Sequence, residues 1–346
     1  MKFIPITRAT LPLLAVAGLF LSGCHSVVQL LPDHPRQSPG VTMQDITFHS
    51  AALNRDMPYR VYLPAKLVPD QKLPVVYLLH GGNGGFRDWS NDSDVTHYAE
   101  QGLILVMPEG AFSYYTNAVG KPQDKYEDYL VNDLISDVEV RFPAAKSREN
   151  RAIIGISMGG FAAIKLALSR PDVFIFVAAF SPSIDILHRK FSPKRFGEWW
   201  RIRNLFGPTG SPSRSASDPF VLVQSANPTA TPYIFMTSGE QEPLLDPIRR
   251  FASRLQARHF AYEFHTKPGA HDWNQWDAQI PACFESLLQH LSISYSEAPS
   301  SGSRAMPSVP GNIPKPAPPR PTQPPSPKMS ARPMVRSSTG AKQSAG

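Results

Sequence analysis

A serine hydroxyl is a weak nucleophile near neutral pH and needs a base in hydrogen-bond reach, with a third group to orient that base. The chain offers the serine at Ser157, in Gly155-Ile156-Ser157-Met158-Gly159-Gly160. A short apolar run at residues 152–154 leads into it, and helix-compatible residues follow until Arg170 and Pro171 stop them. That order predicts a strand, a sharp turn and a helix, with Ser157 raised on the turn. Gly155 and Gly159 lack the Cβ atoms that would hold the two backbones apart. Acid and then base should follow on later strand-end loops. His271 meets this condition, in Pro268-Gly269-Ala270-His271-Asp272-Trp273 just after a predicted strand. His259, His265 and His290 fall near a helix end, within a strand and inside a helical pattern. The acid belongs to the loop Glu240-Gln241-Glu242-Pro243-Leu244-Leu245-Asp246. Asp246 precedes Pro247 and reads as a helix N-cap, which leaves Glu240 and Glu242. Charge developing on a carbonyl oxygen needs preorganised donors. The Met158 amide, next to the nucleophile, is one; the Gly82 amide in His80-Gly81-Gly82-Asn83-Gly84-Gly85 is the other, with His80 supporting that loop.

These residues need a scaffold that presents loops at one edge. Apolar stretches at residues 41–48, 59–63, 74–79, 103–107, 152–154, 174–180, 233–236 and 262–265 read as strands. Helical patterns at 129–141, after Ser157, at 247–258 and at 281–291 alternate with the later ones. Strands alternating with crossover helices predict an α/β fold, a mostly parallel sheet covered on both faces with its chemistry at the strand C-ends. One segment breaks the rhythm: residues 184–225 form an insertion near the site, longer than a βα connection requires. It is basic, with Arg189, Lys190, Lys194, Arg195, Arg201, Arg203 and Arg214 against Asp185, Glu198 and Asp218. It reads either as a solvated face with Trp199 and Trp200 packed inward, or as a rim that attracts an anionic or sugar-rich substrate.

Both ends differ from the middle. Residues 1–23 carry Lys2 and Arg8, then an apolar run too short to span a bilayer, as in a secretory leader. Leu21-Ser22-Gly23-Cys24 resembles the lipobox of bacterial lipoproteins, so Cys24 is the expected lipid attachment site and the membrane an expected partner. The protein is then expected in the bacterial cell envelope, facing the periplasm or exterior, on the outer membrane in a Gram-negative cell. Residues 24–40 read as a tether and 41–297 as the folded domain. Cys283 is the only other cysteine and falls in an apolar helical pattern, as a small buried hydrophobe. Residues 298–346 hold twelve prolines and few large apolar residues, a composition that does not offset ordering entropy. The formal charge of +7 belongs to these ends. The tail contributes seven basic and no acidic residues; without these and the two of the leader, 26 basic residues face 28 acidic ones. A nucleic-acid partner has no support in the core. The tail reads equally as a spacer and as a cationic arm toward an anionic envelope polymer.

Together HGGNGGFRDW, SYYTN, YEDYLVNDL, GISMGGFAA, SGEQE and GAHDWNQW resemble the esterase D-like α/β-hydrolases, over residues 41–291 and in order. That family includes feruloyl and acetyl-xylan esterases, S-formylglutathione hydrolases, siderophore esterases and mycobacterial mycolyltransferases. The resemblance implies the α/β-hydrolase fold and the Ser157/His271 pair. Its acid stands fourth in a G-x-x-D pattern, which falls here on Glu242, one methylene longer than the family's aspartate. The expected function is extracytoplasmic serine carboxylesterase, acting on a small-molecule or glycan-linked ester without cofactor or metal. The alternatives are acyl transfer to a sugar hydroxyl and a catalytically idle lipoprotein that binds the envelope.

Overall fold

The computed structural model describes residues 32–291; the leader, Cys24 and the 298–346 segment lie outside them. Eight strands form one sheet: β1 (Val41–Ser50), β2 (Arg55–Pro64), β3 (Val75–Leu79), β4 (Ile104–Pro108), β5 (Arg151–Ile156), β6 (Phe176–Phe180), β7 (Tyr233–Gly239) and β8 (Tyr262–Lys267). Their order is β1-β2-β4-β3-β5-β6-β7-β8, antiparallel at β1/β2 and β2/β4 and parallel from β4 onward. This is the α/β-hydrolase arrangement that the sequence predicts, with every expected strand present.

The helices in chain order are α1 (Asp88–Asp92), α2 (Tyr126–Asp128), α3 (Ile135–Arg141), α4 (Met158–Ser169), α5 (Phe196–Phe206), α6 (Pro212–Ser215), α7 (Pro219–Ser225), α8 (Leu245–Ala257), α9 (Trp273–Asp277) and α10 (Ile280–His290). A π-helical stretch, Tyr129–Leu134, joins α2 to α3. Strand side chains alternate between two apolar layers. Val75, Tyr77, Leu79 and Ile153 enter one, with Phe161 and Ile164 of α4. Val76, Leu78, Ile154 and Ile156 enter the other, with Cys283, Phe284 and Leu287 of α10. Because both faces are covered, β3 to β6 read as continuous apolar runs rather than alternating ones.

Part of the segment read as a tether belongs to the folded body. Asp33 accepts from both terminal nitrogens of Arg60, at 3.0 and 2.6 Å, and Arg60 also donates to Asp45 at 2.7 and 2.9 Å and to Ser90 at 2.9 Å. Arg60 has no exposed side-chain surface, so its charge depends on those two carboxylates. The Arg60 hydrogen bond holds Asp33 below its ordinary value despite partial burial. The prolines at 32, 35 and 39 suggest a loose linker, but a buried guanidinium leaves donors that the segment satisfies. Arg60→Met should therefore lower the unfolding free energy in urea by about 2 kcal/mol, since it removes five hydrogen bonds to Asp33, Asp45 and Ser90 while Arg87 still faces both carboxylates. Arg36→Ala, which removes a partner of the exposed Asp94, should cost less than about 0.5 kcal/mol.

Candidate active site

The turn after β5 holds Ser157 at φ 53°, ψ −105°, a conformation that costs a non-glycine residue about 1–3 kcal/mol. Contacts on every side fix it. The Ser157 amide donates to the Phe180 carbonyl at 2.8 Å, and its carbonyl accepts from Phe161 at 3.0 Å and Ser183 at 3.0 Å. A Cβ on Gly155 would overlap the Gly159 carbonyl, and one on Gly159 would lie 2.6 Å from the Leu79 carbonyl oxygen. Strand and helix meet there without side chains between them.

The structure brings Ser157, His271 and Glu242 into one hydrogen-bonded series. His271 Nε2 lies 3.0 Å from Ser157 Oγ, and His271 Nδ1 lies 2.6 Å from Glu242 Oε2. The carboxylate assigns the ring proton to Nδ1, which leaves the Nε2 lone pair facing the serine hydroxyl. Two loops set this register. A Cβ on Gly239 would overlap the Gly269 carbonyl, and Gln241 donates its amide to that carbonyl at 3.0 Å. The ends of β7 and β8 thus hold Glu242 and His271 together.

Glu242 uses its extra methylene to reach a second set of partners. Oε1 accepts from Ser181 Oγ at 2.7 Å, from the Gly239 amide at 2.7 Å and from Ser238 Oγ. Trp276 Nε1 donates to Ser181 Oγ at 3.0 Å and its ring stands edge-on to His271, with centroids 5.0 Å apart. Burial pushes the Glu242 carboxyl up, but hydrogen bonds from His271, Ser238, Ser181 and the Gly239 amide together hold it below its ordinary 4.5. The other carboxylates are elsewhere. Glu240 is exposed and takes a 3.4 Å bond from Thr266. Asp246, read as an N-cap, is instead the second residue of α8 and is 82% exposed. Pro247 fits two positions further in than expected, because the first-turn amides have no intrahelical acceptor and its missing N–H costs nothing there.

The loop after β3 faces the elbow. A Cβ on Gly81 would lie 3.8 Å from Ser157 Cβ, and one on Gly82 would lie 3.9 Å from Met158 Cβ. The Gly82 amide bonds to no other described residue, and Met158, first in α4, has no intrahelical acceptor. His80 fastens this loop: Nδ1 donates to the Gly81 carbonyl at 2.7 Å and Nε2 accepts from the Gly110 amide at 2.9 Å. Glu109 accepts from the Phe86 amide at 3.3 Å and the Ala111 amide at 2.7 Å; burial opposes its ionisation, but the His80 contact and these amides hold it below its ordinary value. Gly81, Gly82, Ser157, His271, Trp273 and Trp276 line a cleft of about 410 Å³.

Three groups around the site escape a reading of the sequence. Ser183 places its hydroxyl 3.2 Å from that of Ser157, and Ser181 and Ser238 support the acid. Lys165 is buried two turns beyond Ser157 and donates to Glu127 at 2.5 Å, Thr116 Oγ1 at 3.1 Å and the Tyr115 carbonyl at 3.4 Å. A lone lysine in an otherwise apolar helix was the available signal, since a buried charge requires a partner. In the insertion, Trp199 and Trp200 do not line the Ser157 cleft, and Trp200 is 49% exposed rather than packed inward. Adjacent helix positions point in different directions, and Ile202 and Phe206 take the buried face.

A family model for esterases matches residues 50–287. An acetyl esterase of Caldicellulosiruptor saccharolyticus is 25% identical over 260 residues, covering 71% of this chain and 97% of the relative. A substrate-bound fluorophosphonate-binding serine hydrolase of Staphylococcus aureus superposes with a TM-score of 0.62 at 24% identity, over 72% of this chain and 98% of that one. An S-formylglutathione hydrolase from Agrobacterium tumefaciens gives 0.65 at 19% identity, over 75% and 99%. The two structures share the fold.

The depressed Glu242 carboxyl has a signature in stability. Its contribution is full above about pH 4.5 and is lost as pH falls through the lower folded-state value. The melting-temperature gap between the wild type and Glu242→Gln should therefore narrow from pH 7 to about pH 3; a constant gap would show that the charge is not held by its four partners.

Proposed function

Since the chain belongs to the esterase family, we propose that this serine hydrolase of carboxylic esters is an extracytoplasmic, lipid-anchored carboxylesterase working through an acyl-enzyme on Ser157. The observation that carries the mechanism is the uninterrupted series Glu242, His271, Ser157. Ser157 Oγ attacks the ester carbonyl carbon while His271 Nε2 takes its proton. The resulting imidazolium is stabilised by Glu242, which is already ionised and holds its position through three further donors. The oxyanion lies between the Met158 and Gly82 amides, at the positive end of α4. Collapse breaks the bond to the alkoxy oxygen, and His271 returns the proton to the departing alcohol. Water enters, gives its proton to Nε2 and attacks the acyl carbon; a second collapse restores Ser157 and releases the carboxylic acid.

The address rests on the sequence. The leader and Leu21-Ser22-Gly23-Cys24 support acylation of Cys24 and attachment to the bacterial envelope. Cys283 does not compete for that role, because burial in α10 pushes its thiol up and shields it.

Mature protein should hydrolyse p-nitrophenyl esters, and Ser157→Ala should lose at least about 10³-fold in kcat. Equal, negligible rates for both would refute the esterase. Within the acid loop, Glu242→Ala should lose about 10³-fold or more while Asp246→Ala stays within about twofold; the reverse ranking would move the acid. For the anchor, Cys24→Ser should shift the protein from the membrane to the soluble fraction of cells. Unchanged fractionation would remove Cys24 as the attachment point.

A further inference from the structure

Beyond the Ser157 cleft lies a second one of about 520 Å³, whose wall includes Arg55, Phe112, Lys121, Asp124, Arg201 and Asn204. Phe112 lines it and sets the edge of its ring against Gly82 of the loop that faces the elbow. A Cβ on Gly82 would lie 3.0 Å from the edge of that ring and 3.9 Å from Met158 Cβ. The Arg201 guanidinium carbon is 5.2 Å from the ring centroid. The Phe112 ring therefore contacts the glycine loop beside the elbow and also the Arg201 guanidinium.

The charges on the two sides of Phe112 differ in sign. The Ser157 cleft has Asp88 and Asp272 in its wall, and burial pushes the Asp88 carboxyl up. In the second cleft Arg55 is committed to Asp124 at 3.1 Å and to the Tyr126 hydroxyl at 2.8 Å. Arg201 and Lys121 form no ion pair or side-chain hydrogen bond among the described residues. Most other cations of the insertion are used within it. Arg189 and Arg195 face Glu198, Arg214 donates to the Leu187 carbonyl, and Arg203 lies over the Trp199 ring.

The floor is rigid. Ala111, Tyr114 and Tyr115 adopt positive φ of 47°, 52° and 47°, a costly backbone that persists only where its surroundings enforce it. Here Lys165 binds Tyr115 and Thr116 from below, and Glu109 and His80 hold Gly110 and Ala111. Phe112 is thus a fixed platform rather than a mobile flap.

We propose that this second cleft is a subsite for a carboxylate carried on one half of the ester substrate, with the spacer laid across Phe112 and the anion received by Arg201 and Lys121. The inference rests on the esterase reading and adds the substrate class: esters with a remote anionic group. Its test uses the full chain and two matched pairs, p-nitrophenyl glutarate against p-nitrophenyl pentanoate for the acyl half, and p-carboxyphenyl acetate against p-tolyl acetate for the alcohol half. The readout is the anionic-to-neutral ratio of kcat/KM, corrected for alkaline hydrolysis. In one pair that ratio should exceed one by about fivefold at low salt, the scale of part-exposed charge contacts, and shrink in about 0.5 M NaCl. It should fall toward one in Arg201→Gln and in Lys121→Gln and drop below one in Arg201→Glu. Turnover of the neutral esters with a ratio of one or less in both pairs, or a ratio the variants leave unmoved, overturns the subsite alone. Absence of turnover for all four esters removes the esterase reading and the subsite with it.

Discussion

The approach of two backbones at Gly155 and Gly159 is the constraint on which the site depends. With no side chain between the end of β5 and the start of α4, the turn closes tightly enough to put Ser157 at a positive φ. That conformation is unfavourable in isolation, and the Phe180, Phe161 and Ser183 bonds hold it in place. The same approach brings the Met158 amide beside Ser157 and seats α4 against Leu79, the residue before His80. Ser157, the Met158 amide and the start of the loop that carries Gly82 are therefore placed by one packing event at the middle of the sheet.

Around that centre the site uses pairs of loops whose backbones touch. The β7 and β8 loops meet at Gly239 and Gly269, which sets the distance from Glu242 to His271. The β3 and β4 loops meet through His80 and Glu109. A glutamate in place of the family's aspartate is accommodated because Ser181, Ser238 and the Gly239 amide take one of its oxygens and leave the other for His271. The additional methylene would otherwise add a rotatable bond to the group that orients the base. Three donors remove that freedom.

Much of this was legible from residue types. The strands are apolar runs, the elbow has its glycines, and His271 is the histidine on a strand-end loop after the acid. Glu240 and Glu242 could not be separated by composition, because both lie on one short loop and only the backbone path decides which turns inward; the family pattern supplied the choice. The supporting serines carry no local signal: Ser181 and Ser238 sit 57 residues apart in sequence and become neighbours only because β6 and β7 pair. Arg60 and Asp33 were hidden similarly, since a charge in a strand looks solvent-facing until a separate segment covers it. Positive φ at Ala111, Tyr114 and Tyr115 was also unreadable, as those residue types give no hint of it.

Lys165 has a consequence for how this molecule can change over time. By joining the helix behind the nucleophile to Tyr115, Thr116 and Glu127, it makes the elbow and the wall that bears Phe112 one mechanical unit. A drift of that wall would break a buried ion pair, so the space beside Ser157 is poorly suited to remodelling by loop displacement. Diversification of what the enzyme accepts is then channelled into exchanges of side chains on a fixed wall, and into the peripheral insertion that supplies Arg201 from outside it.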